Sequence, residues 1–171
     1  MTIIYAAATL PVNPPGATPI ITQDQLWAGL ERKRGEPQLS IPVIDTCVVL
    51  ENDGETVLRE VKFKDGMGGG QVVAPTVQER ITHIKPITST AGSGLETFAT
   101  VGSASRVLNI VSTGEKESDL YLTFTFEWDH PEIEAGSEVA AAKQKGYQTM
   151  APRGVSGTLA QIRKMVAEGQ L

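Results

Sequence analysis

The chain has 171 residues, of which 40% are hydrophobic and 20% charged, a balance that suits one globular domain over residues 1–171 and excludes wholesale disorder. The formal net charge of −5, with no Lys/Arg stripe, excludes a phosphate-binding footprint and hence a nucleic-acid partner. Cys47 stands alone, so neither an intrachain disulfide nor a cysteine-based zinc site can form, and no apolar run approaches the roughly 20 residues of a membrane span.

Thr2 to Leu10 reads as a first strand; it lacks the basic lead of a signal peptide, which points to the cytoplasm. A Pro/Gly-rich loop follows from Pro11 to Pro19. Thr22 and Gln25 fit a capping box, in which each side chain satisfies the other residue's free backbone N–H. Leu26, Leu30 and Trp27 give the ensuing helix an apolar face, Gly35 stops it, and Pro37 to Ser40 forms a short second helix. The period then changes. Asp45 to Leu50, Thr56 to Phe63, Gln71 to Lys85, Gly94 to Val101, Ser105 to Val111 and Asp119 to Trp128 read as strands, rich in Val, Ile, Thr and Phe. Short turns separate them, so consecutive strands pair as hairpins in an antiparallel meander. In the last strand Leu120, Leu122, Phe124, Phe126 and Trp128 share one face, which is buried.

Gly136 to Leu171 is helical, with an apolar stripe from Val139, Tyr147 and Met150 to Leu159, Ile162 and Met165. Pro152, Gly154 and Gly157 predict a bend or break near Met150 to Gly154. The order is that of an α+β domain. A curved antiparallel sheet of six to seven strands wraps around one long C-terminal helix, and the two rarely fill the space between them, which predicts an internal cavity.

The run Pro11-Val12-Asn13-Pro14-Pro15-Gly16, the segment Leu26-Trp27-Ala28-Gly29-Leu30, the pairs around Arg59-Glu60-Val61 and Glu79-Arg80, Asn109-Ile110-Val111-Ser112, and above all Leu120 to Trp128 with His130-Pro131 and Glu134-Ala135-Gly136-Ser137 carry a resemblance. The sequence resembles the helix-grip fold of the START-like superfamily, and within it the small family typified by the acetylaranotin cluster protein L (AtaL-like). The resemblance implies a pocket for a small hydrophobic or aromatic molecule and no cofactor. It carries over no catalytic residue, since fold alone does not fix chemistry.

Alternation along the strands selects the inward positions. Val57, Arg59, Val61 and Phe63 share a face of one strand; Val77, Glu79, Ile81 and His83 share a face of the next. Arg59 and Glu79 are thus charges on otherwise apolar faces, cross-strand or diagonal neighbours of one hairpin. Burying charges is costly unless they pair or have a task. Arg59 could stabilise an enolate or hold a carboxylate and Glu79 could move a proton, with His83 as a further proton shuttle. A structural ion pair at a cavity edge, and a partly exposed, inert His83, account for the same pattern; so does inertness for His130. Asn109 and Met150, with Phe124, Phe126, Trp128, Leu122 and the valines and isoleucine named above, complete the expected ligand wall, although such aromatic stripes also simply pack cores. Two histidines and one cysteine make a transition-metal site unexpected. Gly66-Met67-Gly68-Gly69-Gly70 lacks the ending of a phosphate loop and reads as a turn at the pocket mouth.

The resemblance, together with the charges on apolar faces, implies a small-molecule protein of secondary metabolism, a cofactor-free cyclase, isomerase or dehydratase acting on a polyketide- or peptide-derived intermediate. A non-catalytic carrier of a lipid or hydrophobic metabolite is the alternative, and a protein-interaction domain is a third reading. A homodimer is left open.

Overall fold

The computed structural model describes residues 2–64, 76–86, 93–116 and 119–171. Seven strands form one sheet: β1 (Ile3–Pro11), β2 (Ile44–Asn52), β3 (Thr56–Phe63), β4 (Thr76–Ile84), β5 (Gly94–Thr100), β6 (Arg106–Thr113) and β7 (Leu120–Asp129). Their order is β1-β7-β6-β5-β4-β3-β2, so six strands form a meander and β1 returns to the β7 edge. Every neighbouring pair is antiparallel. The expected strand from Gln71 to Lys85 is represented by β4; its residues 71–75, and the glycine-rich turn at Met67 to Gly70, lie outside the described residues.

The register sorts the inward side chains into rows. One row runs Val57, Ile81, Phe98, Val107, Phe126 and Ala6 across β3, β4, β5, β6, β7 and β1. The next row towards one end runs His83, Glu96, Asn109, Phe124 and Ala8. On the other side of the apolar row, Arg59 stands directly opposite Glu79. Ionisable groups therefore flank an apolar stripe on the same face of the sheet.

Helix α1 (Gln23–Gly35) starts at the expected box: Gln25 N–H donates to the Thr22 hydroxyl at 3.2 Å, and Thr22 N–H to Gln25 Oε1 at 3.0 Å. Two of the four free donors at a helix start are thereby satisfied. A single 3₁₀ turn, Pro37–Leu39, follows. Helix α2 (Glu138–Ala167) crosses the sheet on the side of β1 and β7. Tyr147, Ala151, Val155, Leu159, Ile162 and Met165 form its buried stripe, packed in one core with Ile4, Ala6, Leu122, Phe124, Phe126 and Trp128. At Gly29 the two helices meet so closely that a Cβ would lie 2.5 Å from Ile162 Cγ1, which leaves room only for hydrogen.

Of the bend or break expected near Met150 to Gly154, the break does not occur: α2 runs uninterrupted for 30 residues, about 45 Å at the usual rise. Pro152 lies on the exposed face, and so does Gln148, four residues earlier, whose carbonyl loses its helical donor. Water can satisfy that carbonyl, so nothing forces the helix apart. Ser137 caps α2, its Oγ accepting from Ala140 N–H at 3.2 Å. His130, read as a loop residue without a task, is buried at the start of this connection; Nε2 bonds the Tyr147 hydroxyl at 2.8 Å and Nδ1 bonds Glu132 at 3.0 Å. Burial, with the Glu132 charge adding to it, pushes the Tyr147 phenol up to about 12, so it stays a neutral hydrogen-bonding group.

Candidate functional site

Helix α2 covers β1 and β7, and α1 packs beside it, but the middle of the sheet is left partly uncovered. The gap is a cavity of about 140 Å³. Its floor is the inward face of the sheet, with Arg59, Glu79, Phe98, Val107, Asn109, Phe124 and Phe126. Lys33 of α1 and Ile41 close one side, and Met150, Gly154 and Thr158 of α2 close another. The last three recur every fourth residue, a stripe beside the core stripe of Ala151, Val155 and Leu159. Gly154 lets the sheet aromatics approach: a Cβ there would sit 3.6 Å from Phe126 Cζ and 3.7 Å from Phe124 Cδ2. A larger hollow, about 290 Å³, lies on the surface between α1 and Lys85-Pro86, rimmed by Gln23, Asp24 and Glu31. There Asp24 is exposed and Glu31 is ion-paired with Lys85 and Arg34, so the smaller cavity is where buried charges gather.

Arg59 is 2% exposed. Its Nε and Nη2 both donate to Glu79 Oε2, at 2.9 and 2.7 Å. Its Nη1 donates to the carbonyls of Lys33 at 3.2 Å and Arg34 at 2.7 Å, two acceptors left free by the end of α1. The guanidinium also lies over the Phe98 ring, 5.2 Å from its centroid. One arginine thus joins β3, β4, β5 and α1. All its bonds to Glu79 fall on Oε2, which leaves Oε1 for other partners.

A second cluster lies one row away. Glu96, on β5, is fully buried; its Oε2 accepts from Asn109 Nδ2 at 3.1 Å, and Arg34 Nε stands 3.8 Å from its Oε1. Arg34 Nη1 bonds His83 Nδ1 at 2.7 Å, so Nδ1 is the acceptor and the ring proton sits on Nε2. Burial and then the Arg34 charge hold the His83 imidazole below its ordinary value. His83 is therefore neutral at pH 7, and it braces Arg34 from outside the cavity wall.

Lys33 lies between the clusters, 6% exposed. Among the described residues its ammonium makes no hydrogen bond or ion pair; it rests over Phe124 at 4.2 Å and nearer the edge of reach over Phe98 at 5.9 Å. Burial is the main cause that brings its pKa down to about 8; Glu96 and Glu79 oppose the drop and Arg59 adds to it. A lysine at that value is charged at pH 7 yet close to releasing its proton, the range in which an acid–base group works. Asn109 Oδ1 and the Thr158 hydroxyl, both buried, also have no hydrogen-bond partner among the described residues.

Of the expected site residues, the cavity brings together Arg59, Glu79, Asn109, Phe124, Phe126 and Met150. It does not include His83. Val57 and Ile81 pack on Phe98 in a small separate cluster, and Val61 is fully buried outside the lining. Val77 is half-buried and also outside it. Leu122 and Trp128 belong to the core beneath α2, where Trp128 lies against Phe126 and Tyr147 with centroids 4.9 and 4.0 Å apart. Sequence reasoning missed Lys33, Glu96 and Thr158. Lys33 was within reach, because Leu26, Leu30 and position 33 follow the spacing of one helix face. Glu96 alternates with Gly94 and Phe98 on the inward face of β5 and carries the same kind of signal as Arg59. Among the described residues no group of three or more His, Cys, Asp or Glu could hold a metal ion, and no helix is long and apolar enough to cross a membrane.

Comparison with known proteins places this architecture. Residues 6–169 match the family described as acetylaranotin biosynthesis cluster protein L. The protein of that name from Aspergillus terreus (strain NIH 2624 / FGSC A1156) is 27% identical over 165 residues, covering 96% of this chain and 91% of its own. Among solved structures, human STARD10 superposes with a TM-score of 0.66 at 9% identity over 97% of this chain, which spans 66% of that protein. The Zhui aromatase/cyclase from Streptomyces sp. R1128 gives 0.57 at 11% identity over 96% of both chains, and Ara h 8.0201 gives 0.53 at 11% identity over 98% of this chain and 99% of that one. The fold is the helix-grip fold, and the chain belongs to the acetylaranotin biosynthesis cluster protein L family.

Proposed function

We propose that this member of the family is a START-like ligand-binding domain of secondary metabolism. It acts in the cytoplasm, holds a small hydrophobic or aromatic intermediate in the cavity, and guides its cyclisation, dehydration or isomerisation without a cofactor. The observation that carries the reading is the convergence of Lys33, Arg59 and Glu79 on an aromatic-walled cavity. Confinement selects a reactive conformer of the intermediate. The free Glu79 oxygen takes a proton from an activated carbon, Lys33 stabilises or protonates the oxygen that gains charge, and Arg59 fixes the Glu79 carboxylate in place. His83 acts at one remove, by positioning Arg34.

The test is turnover of polyketide- and peptide-derived intermediates by the wild type, by an Arg59→Ala/Glu79→Gln double variant and by Lys33→Met. The expected result is rate enhancement in the wild type, reduced at least hundredfold in both variants. Conversion by all three at the uncatalysed rate removes the enzymatic reading. The second reading, a carrier of a hydrophobic metabolite, is favoured by one observation: four bonds to Glu79 and to the end of α1 occupy Arg59 structurally. Mass spectrometry of what co-purifies with the protein distinguishes the two, since a carrier retains its cargo unchanged.

A further inference from the structure

Among the described residues the charges around the cavity do not balance. Lys33, Arg34 and Arg59 are cationic, against the two carboxylates of Glu79 and Glu96. Arg59 is committed to Glu79, and Arg34 is the cation nearest Glu96. At the solvent edge Glu31 pairs with both Lys85 and Arg34, and counting Glu31 with Lys85 leaves the sum unchanged. The excess positive charge is therefore Lys33, whose ammonium makes no hydrogen bond or ion pair among the described residues and lies over two aromatic rings. A cation withdrawn from water without a counter-charge costs stability, unless a partner arrives to satisfy it. On the α2 side of the same cavity the buried Thr158 hydroxyl has no hydrogen-bond partner among the described residues and can donate to an acceptor in the cavity. The volume sets a limit: about 140 Å³ compares with the roughly 150 Å³ that holds one benzene.

We propose that the cavity takes an organic anion, a single aromatic or conjugated ring carrying a carboxylate or an acidic enol, with its charged oxygen on Lys33 and Thr158 and its ring among Phe98, Phe124 and Phe126. The proposal rests on the reading of the cavity as a ligand site and adds the charge and size of what enters. A larger molecule presents one such ring and leaves the remainder outside.

Isothermal titration at pH 7 with benzoate, benzamide, benzylamine and acetate tests it on the wild type and on Lys33→Met. Methionine nearly matches lysine in length and removes a buried charge, so the variant folds. The wild type is expected to bind benzoate at least tenfold more tightly than benzamide, acetate and benzylamine. In Lys33→Met that preference vanishes and benzamide binds at least as well as benzoate. Equal binding of benzoate and benzamide by the wild type, or a preference for benzoate that survives in Lys33→Met, overturns the anion assignment while the ligand-site reading stands. Acetate binding as tightly as benzoate overturns the ring. No binding of any probe overturns both.

Discussion

Replacing Lys33 by methionine removes a charge that folding buries, and the expected result is a more stable protein. The free side chain titrates at 10.5 and the folded one at about 8, which at 1.36 kcal/mol per pH unit is a penalty of about 3 kcal/mol on the charged form. The cation–π contact with Phe124 returns about 1 kcal/mol, leaving a net gain of about 2 kcal/mol for the variant at pH 7. For a chain of this size that is a rise in Tm of about 4–8 °C. The pH dependence has a definite sign. Between about 8 and 10.5 the unfolded chain holds a proton that the folded chain has released, so wild-type stability rises with pH relative to the variant. The difference is full at pH 7 and gone near pH 10.5. Urea melts of both proteins at pH 7, 8.5 and 10.5 measure it, because other titrations cancel in the comparison. A Lys33→Met protein less stable than the wild type at pH 7, or a difference that stays constant to pH 10.5, would refute the assignment of Lys33 as a buried, unpaired cation.

Three further outcomes are expected. Arg59→Met breaks a buried pair and uncaps α1, costing about 3–5 kcal/mol in urea melts, and adding Glu79→Leu recovers much of the loss. Gly154→Ala is tolerated and gains up to about 1 kcal/mol of helix stability, since its Cβ meets only ordinary contacts, whereas Gly154→Leu fills the cavity and abolishes benzoate binding with an unchanged far-ultraviolet circular dichroism spectrum. Gly94→Ala drives a Cβ to within 2.1 Å of Trp27 Cζ2 and 2.8 Å of the Ile84 carbonyl, so it costs about 3 kcal/mol and shifts Trp27 fluorescence.

The fold was legible because its signals are local. The Thr22–Gln25 box, the period-two run of β7 and the turn residues between strands are each fixed within a few positions. Arg59 and Glu79 were legible as a pair because alternation puts them on apolar faces and a hairpin brings them together. What the sequence concealed was depth. Alternation assigns a side chain to a face, but not to the part of that face which a helix covers. Val61, Leu122 and Trp128 share the inward face with Phe124, yet of these four only Phe124 lines the cavity. Pro152 misled for a related reason: a proline breaks a helix when its lost bond is buried, and exposure is a tertiary property.

The two adjacent stripes of α2 separate the demands of folding from those of recognition. Positions 147, 151, 155 and 159 anchor the rod, and positions 150, 154 and 158 furnish the chamber, Met150 also touching the core. Bulkier, smaller or more polar groups in the second set would change what the chamber accepts without touching the anchoring set. A library varied at those three positions alone is thus a route to new ligand preferences on an unchanged scaffold.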